Sequence, residues 1–306
     1  MLSRLIRRLL LGQILIGAVL GWLLARQTGA SVWLVGIMAL ALPLISVLLV
    51  VISIALKSRA PGANGRWARS LIFEYAAMLR AFLVQLPWAG APALRMPTAT
   101  TALRSPVLLV HGYLCNHRVW DAMTQRLHRA GHPVMQINLE PVFAPIDSYA
   151  PQIEQAVTEL CRQTGAAKVA LIGHSMGGLA IRAWMRAFGS ARAARVITLG
   201  TPHAGTQIAR STRTPNGQQM VWRSAWLQEL DRSETSATRS LMRIAVTPQD
   251  HIVYPQREQV LAGVPATVFD GLGHLELCRN PVVIAWVLQQ LADLPTTEFG
   301  RTAPPG

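Results

Sequence analysis

Apolar positions follow three different patterns along the chain. Residues 9–25 read LLLGQILIGAVLGWLLA, interrupted by Gln13, and residues 31–56 carry no charged, amide or imidazole side chain. As helices these runs measure about 26 and about 39 Å, enough for each to cross a hydrocarbon core of ~30 Å. Pro43, near the middle of the second run, removes one backbone donor and predicts a tilt or kink there. The stretch Arg26–Ala30 between them allows only a tight turn, so the two spans are expected as antiparallel neighbours. A cleaved signal peptide is the alternative; the longer second run and the lack of a small-residue cleavage site argue against it.

The second pattern has the helical period. Trp67, Leu71, Tyr75, Met78, Leu79, Phe82 and Leu86 recur at helical spacing beyond Pro61-Gly62, with Arg69, Arg80 and Gln85 interspersed, which predicts an amphipathic helix over 67–86. Such a helix can lie in a bilayer interface or pack on a domain as core, and periodicity does not choose between these. The Pro- and Ala-rich run Pro87–Thr101 reads as a linker. Residues 1–60 are thus expected as a membrane hairpin and 61–100 as an amphipathic helix and linker.

From Ser105 the pattern changes again, to short β-branched runs alternating with helical stretches. The runs are Val107–Val110, Val134–Leu139, Val169–Ile172, Val196–Leu199, Leu241–Val246 and Ala266–Phe269. This alternation predicts an α/β fold with a mainly parallel sheet covered on both faces, over residues 101–295. Residues 296–306 are expected as a disordered tail. Sites in such sheets form at the carboxyl ends of strands.

Charge adds an orientation to this plan. The chain has 306 residues, 51% of them hydrophobic and 14% charged, with a net charge of +14. That composition excludes a disordered or fibrous protein. More than half of the excess falls in residues 1–90, where Arg4, Arg7 and Arg8 precede the first span and Lys57, Arg59, Arg66 and Arg69 follow the second, against Arg26 alone in the turn. Positive charge resists translocation, so both open ends of the hairpin, and the domain that follows, are expected on the cytoplasmic side of the inner membrane. The domain's basic residues are scattered among nearly as many acids, which points to anionic lipid head groups and away from nucleic acid. Three cysteines, Cys115, Cys161 and Cys278, form no C-x-x-C pair. No metal site, cofactor or disulfide framework is implied; three free thiols are expected, and one bridge with one free thiol would also fit the count.

The third strand run leads into Gly173-His174-Ser175-Met176-Gly177-Gly178 and then the helical LAIRAWMRAF. A strand, a G-x-S-x-G pentapeptide and a helix form the context of a nucleophile elbow, whose glycines avoid collision with the neighbouring strand and helix. A serine hydroxyl needs a base, and the base needs an acid to hold its tautomer. Asp250 follows one later strand end and His274 another, so His274 is the candidate base and Asp250 the candidate acid, with Asp270 as runner-up. His174 is expected to pack beneath the serine, His203 lies in a loop, His251 follows the acid, and Asp231 reads as solvated surface. For a tetrahedral oxyanion, Gly112 lets the chain turn after Val110-His111 so that the Tyr113 amide points at the serine. The Met176 amide opens the elbow helix, where unpaired N–H groups favour negative charge.

Together Val110-His111-Gly112, Gly173-His174-Ser175-Met176-Gly177-Gly178, Thr201-Pro202-His203-Ala204-Gly205-Thr206, Asp250-x-x-Val253-x-Pro255 and Gly273-His274 resemble the α/β-hydrolase superfamily, and bacterial lipases and esterases within it. The resemblance covers roughly residues 105–293. It implies a Ser175, Asp250 and His274 triad, with the Tyr113 and Met176 amides as oxyanion hole. The membrane hairpin departs from secreted lipases, and the insertion Gln207–Ser240 is too modest for a large cap. The function expected is a membrane-anchored serine hydrolase of carboxylic esters, acting on acyl lipids or small esters. Thioesterase, amidase or acyltransferase chemistry on the same fold, or a non-catalytic binding role, are the alternatives. The segment Met220–Leu227 is expected either as a short apolar lid or as core.

Overall fold

In the computed structural model, residues 1–59, 65–97 and 102–298 are described. The two apolar runs form helices α1 (Leu2–Thr28) and α2 (Trp33–Ser58). Gly29 ends α1 in the left-handed conformation, φ 68°, which starts the return of the chain. The helices approach closely because Gly17 and Gly21 present no side chain at their interface: a Cβ on Gly17 would stand 2.4 Å from the Met38 carbonyl oxygen, and one on Gly21 2.7 Å from that of Leu34. Small residues at crossing points are the usual device for packing helices in lipid. Leu9, Leu15, Trp33 and Leu40 on the outer faces are exposed.

The amphipathic stretch is helix α3 (Gly65–Leu79), continued by a wide π-type turn over Arg80–Gln85 and a 3₁₀ turn over Leu86–Trp88. A two-residue strand β1 (Ala102–Leu103) precedes six strands, β2 (Val107–Val110), β3 (Val134–Ile137), β4 (Val169–His174), β5 (Ala193–Leu199), β6 (Met242–Val246) and β7 (Ala266–Val268). These six form one sheet in the order β3-β2-β4-β5-β6-β7, and every neighbouring pair is parallel. Helices α4 (Asp121–Arg129), α5 (Ala150–Thr164), α6 (Met176–Phe188), α7 (Pro215–Gln219), α8 (Ala225–Arg232), α9 (Ser236–Ser240) and α10 (Pro281–Leu291) complete the domain. All six predicted runs are strands.

The strands are apolar at every position because both sheet faces are covered. Leu108 and Val110 point into a core shared with α5 and α6, while Val107 and Leu109 point into one shared with α4 and α10. Ala77, Met78, Ala81 and Leu86 sit in this second core, together with Val51 of α2. The amphipathic helix is therefore a cover of the sheet. These side chains help to exclude water from the sheet face over β2 and β4. Length and apolar content alone would let Gly65–Trp88 cross a bilayer, but its inner face is occupied by protein.

The expected linker is also partly structured, since Arg95 bridges to Val134 at the sheet edge. The expected tail starts with β8 (Thr297–Glu298), paired antiparallel with β1. Residues 297–298 are held there by their register with Leu103 and Ala102. The rest of the tail, residues 299–306, and the Pro61-Gly62 turn lie outside the described residues.

Candidate active site

Ser175 follows the last residue of β4 and precedes the first residue of α6, with φ 54° and ψ −128°. A non-glycine residue rarely takes this conformation, and the strain is tolerated where surrounding packing dictates it. That packing is dictated by the flanking glycines. A Cβ on Gly177 would stand 2.1 Å from the Val110 carbonyl oxygen on the neighbouring strand, and one on Gly173 2.5 Å from the Gly178 nitrogen on the helix. The collisions anticipated from the pentapeptide are thus with β2 and α6.

His274 and Asp250 come together from the loops after β7 and β6. His274 Nδ1 donates to Asp250 Oδ2 at 2.7 Å, and the other carboxylate oxygen accepts from the backbone amides of Ile252 at 2.8 Å and Val253 at 2.7 Å. Ser175, His274 and Asp250 are each less than a tenth exposed. Burial opposes a charge on His274, but the adjacent Asp250 carboxylate and, after it, Glu74 outweigh burial and hold the imidazole pKa above its ordinary value. With Nδ1 engaged, Nε2 is the nitrogen left for proton transfer. Asp270 lies elsewhere: it is half exposed and pairs with Arg66 at 3.0 Å.

The turn after β2 is pressed against the serine. A Cβ on Gly112 would lie 2.7 Å from Ser175 Cβ. His111 ties this turn down: its Nε2 accepts from the Leu139 amide at 3.0 Å, leaving Nδ1–H to donate to the Gly112 carbonyl at 2.8 Å. Burial lowers the His111 pKa to about 4, so it stays the neutral tautomer this arrangement needs. Tyr113 thereby sits beside the serine, with its hydroxyl 3.3 Å from Thr214 Oγ1, and Met176 opens α6, where its N–H has no intrahelical acceptor.

The remaining histidines have structural partners. The His174 ring lies 4.5 Å from that of His274, tilted by 48°, and its Nε2 donates to the His274 carbonyl at 3.1 Å; burial holds its pKa well below the usual value. His203 bonds Thr198 at 2.9 Å and lies beside Arg182, which is fully buried in an ion pair with Glu234. His251 meets Ser70 of α3 at 3.1 Å. Cys115 and Cys278 are buried free thiols, and burial pushes the Cys115 pKa up to about 12, so neither is a competing nucleophile. Of the expected lid, Met220 is buried and Trp226 donates to Asp147 at 2.7 Å, which makes this segment core.

One residue at the site was not anticipated. Glu74, midway along α3, is fully buried, and both its oxygens lie 3.0 Å from the amide of Leu275, the residue after His274. Gly273 makes room for it, since a Cβ there would lie 2.3 Å from Glu74 Oε2. Burial raises the Glu74 pKa to about 7. A lone acid on the apolar face of 67–86 was the available signal, and its carboxyl accepts from a loop amide beside His274.

Ser175, His174 and His274 open on an apolar cavity of about 560 Å³, also bordered by Tyr113, Pro202, Thr206 and Met220. The fold around it matches that of a Bacillus licheniformis lipase in its propeptide form, with a TM-score of 0.58 at 15% identity over 66% of this chain and 54% of that one. This chain has the α/β-hydrolase fold. The family model of palmitoyl protein thioesterases matches residues 106–256 of the chain, a segment that holds Ser175 and Asp250 but stops before His274. Sequence relatives include a triacylglycerol lipase of Burkholderia plantarii, 34% identical over 151 residues, or 46% of this chain and 42% of that one. A triacylglycerol lipase of Pseudarthrobacter phenanthrenivorans is 37% identical over 35% of this chain and 36% of its own. The chain thus spans about two-fifths of the length of these curated relatives.

Proposed function

We propose that this α/β-hydrolase is a membrane-anchored serine esterase that cleaves acyl esters, lipids above all, through an acyl-enzyme. The observation that carries the reading is the Asp250–His274 hydrogen bond beside an elbow serine on an apolar cavity. In this reading Ser175 Oγ attacks the ester carbonyl and its proton passes to His274 Nε2. Asp250 holds the imidazole and stabilises its charge, while the Tyr113 and Met176 amides receive the oxyanion. The imidazolium then protonates the departing alcohol. Water, deprotonated by the same His274, releases the acid and restores the serine.

The anchor is the α1–α2 hairpin, with the catalytic domain on the cytoplasmic face of the inner membrane. Support for the hairpin comes from its exposed apolar faces, and support for the orientation from the arginines at its open ends. Labelling of the full chain with a fluorophosphonate tests the chemistry. Ser175→Ala should lose both label and esterase activity, and equal activity in the two proteins would overturn the assignment. A thioester substrate is the second reading, favoured by the family match over residues 106–256. Comparing an oxoester and a thioester of the same acyl chain separates the two.

A further inference from the structure

The cavity at Ser175 has a wall that the hydrolase domain does not supply. Its far side is built by the hairpin: Leu5, Leu9 and Gln13 of α1, and Val47, Val50 and Ile54 of α2. Gln13, the polar interruption of the first span, is one of them. The open ends of both helices are tied to the domain, with Ser3 Oγ accepting from Asn116 Nδ2 at 3.1 Å and the Ser58 carbonyl accepting from Gln256 Nε2 at 3.0 Å. The α2 helix is held again halfway along, where Tyr75 of α3 donates to the Leu44 carbonyl at 3.1 Å.

That attachment sets the depth of the site. Beyond the cavity the hairpin keeps only residues 14–28 and 33–45, which rise about 22 and about 20 Å as helix. A hydrocarbon core is ~30 Å thick. The missing ~8–10 Å must come from the adjoining turns of the walling segments, which carry Leu9, Gln13, Val47 and Val50, so this part of the wall and the cavity mouth beside it lie within the bilayer while Arg4, Arg7 and Arg8 stay at its surface. Consistent with a side opening, the wall residues Leu5, Leu9 and Val50 are 42%, 60% and 52% exposed.

We infer that the hairpin is the acyl-binding wall of the active site, and that the acyl chain of a membrane-resident ester enters Ser175 sideways from the bilayer, between α1, α2 and the domain. This rests on Ser175 as nucleophile. An apolar chain is the fitting occupant because it exchanges lipid for Leu, Val and Ile side chains without leaving an apolar medium, whereas a water-soluble substrate would have to enter lipid to use this route.

The test uses the full chain in lipid vesicles and an alkyl fluorophosphonate with a photoreactive diazirine at the far end of a long alkyl chain. The expected result is attachment at Ser175 and, after irradiation, cross-links within residues 2–13 or 46–54. Attachment at Ser175 with cross-links only in the domain would overturn the inference while leaving the nucleophile in place. Failure to attach at Ser175 would overturn the nucleophile and the inference with it. In parallel, Leu9→Trp and Val47→Trp should lower the ratio of long-chain to short-chain p-nitrophenyl ester turnover by on the order of tenfold. Leu40→Trp, on the exposed lipid face, serves as control. An equal ratio in all four proteins would sink the proposal.

Discussion

Asp250 and Asp270 both follow strand ends, and the difference between them lies in what surrounds each carboxylate. Asp250 is buried with three donors around it, whereas Asp270 is half exposed and faces Arg66. In turnover, Asp250→Asn should cost on the order of 10⁴, through the wrong imidazole tautomer, while Asp270→Asn should cost little. The reverse order would move the acid to Asp270. The environment of His274 also sets a pH dependence. Its pKa stands above the ordinary value, so the neutral base is lost as pH falls through a point above about 6.5, and kcat/KM should decline there. Glu74, where it is ionised, adds to the charge of Asp250, and since its own pKa is about 7, Glu74→Gln should shift this acid limb only modestly to lower pH. An unmoved limb would mean that Glu74 acts through packing alone. The same substitution should affect stability with a definite sign. The folded protein keeps on Glu74 a proton that the unfolded chain releases above 4.5, so this group makes stability fall as pH rises from there to about 7. Glu74→Gln should flatten that slope, which melting temperatures across the range would read.

At the scale of elements, two close approaches dominate. The turn from β4 into α6 works because Gly177 lies under the Val110 carbonyl, and Gly177→Ala should cost ~1–3 kcal/mol by overpacking against rigid backbone. A lower melting temperature with reduced fluorophosphonate labelling is the expected outcome. In the hairpin, Gly17→Leu places a side chain where Met38 backbone stands and should splay α1 from α2. Faster proteolysis of the detergent-solubilised chain at the Gly29–Val32 turn would report it, and unchanged proteolysis would argue that the helices pack differently. Helix α3 shows why an amphipathic pattern underdetermines placement. Its apolar stripe would suit an interface or a core equally, and the deciding feature is Glu74, an acid that finds its partner only in the loop carrying His274.

For the molecule as a whole, both ends of the hairpin meet the domain, through Ser3 and Ser58, so in the proposed membrane arrangement the domain and these ends share one side. With the arginines clustered at those ends, a reporter active only in the periplasm should stay silent when fused after Gly306, and should be active in the Gln27–Ala30 turn. An active C-terminal fusion would place the domain outside. A chain beginning at residue 98 lacks Glu74, Ala77, Met78 and Leu86 from one face of the sheet and should not fold, whereas one beginning at residue 65 keeps that cover. Circular dichroism and soluble yield distinguish the two.

Local features were enough for much of this. Six strands, two long apolar helices and the Ser175 elbow are legible in the chain because each follows from short-range period, from glycine spacing, or from the absence of charge over a bilayer's length. The Asp250–His274 pair was legible once chain order and strand ends were combined. Tertiary structure alone decided the rest. That α3 covers the sheet, that Glu74 reaches the His274 loop, that residues 297–298 pair with 102–103, and that the hairpin walls the cavity at Ser175 all depend on contacts between segments far apart in sequence. Hydrophobic periodicity states which side of an element avoids water, and the partner that removes the water is settled only when the chain has closed on itself.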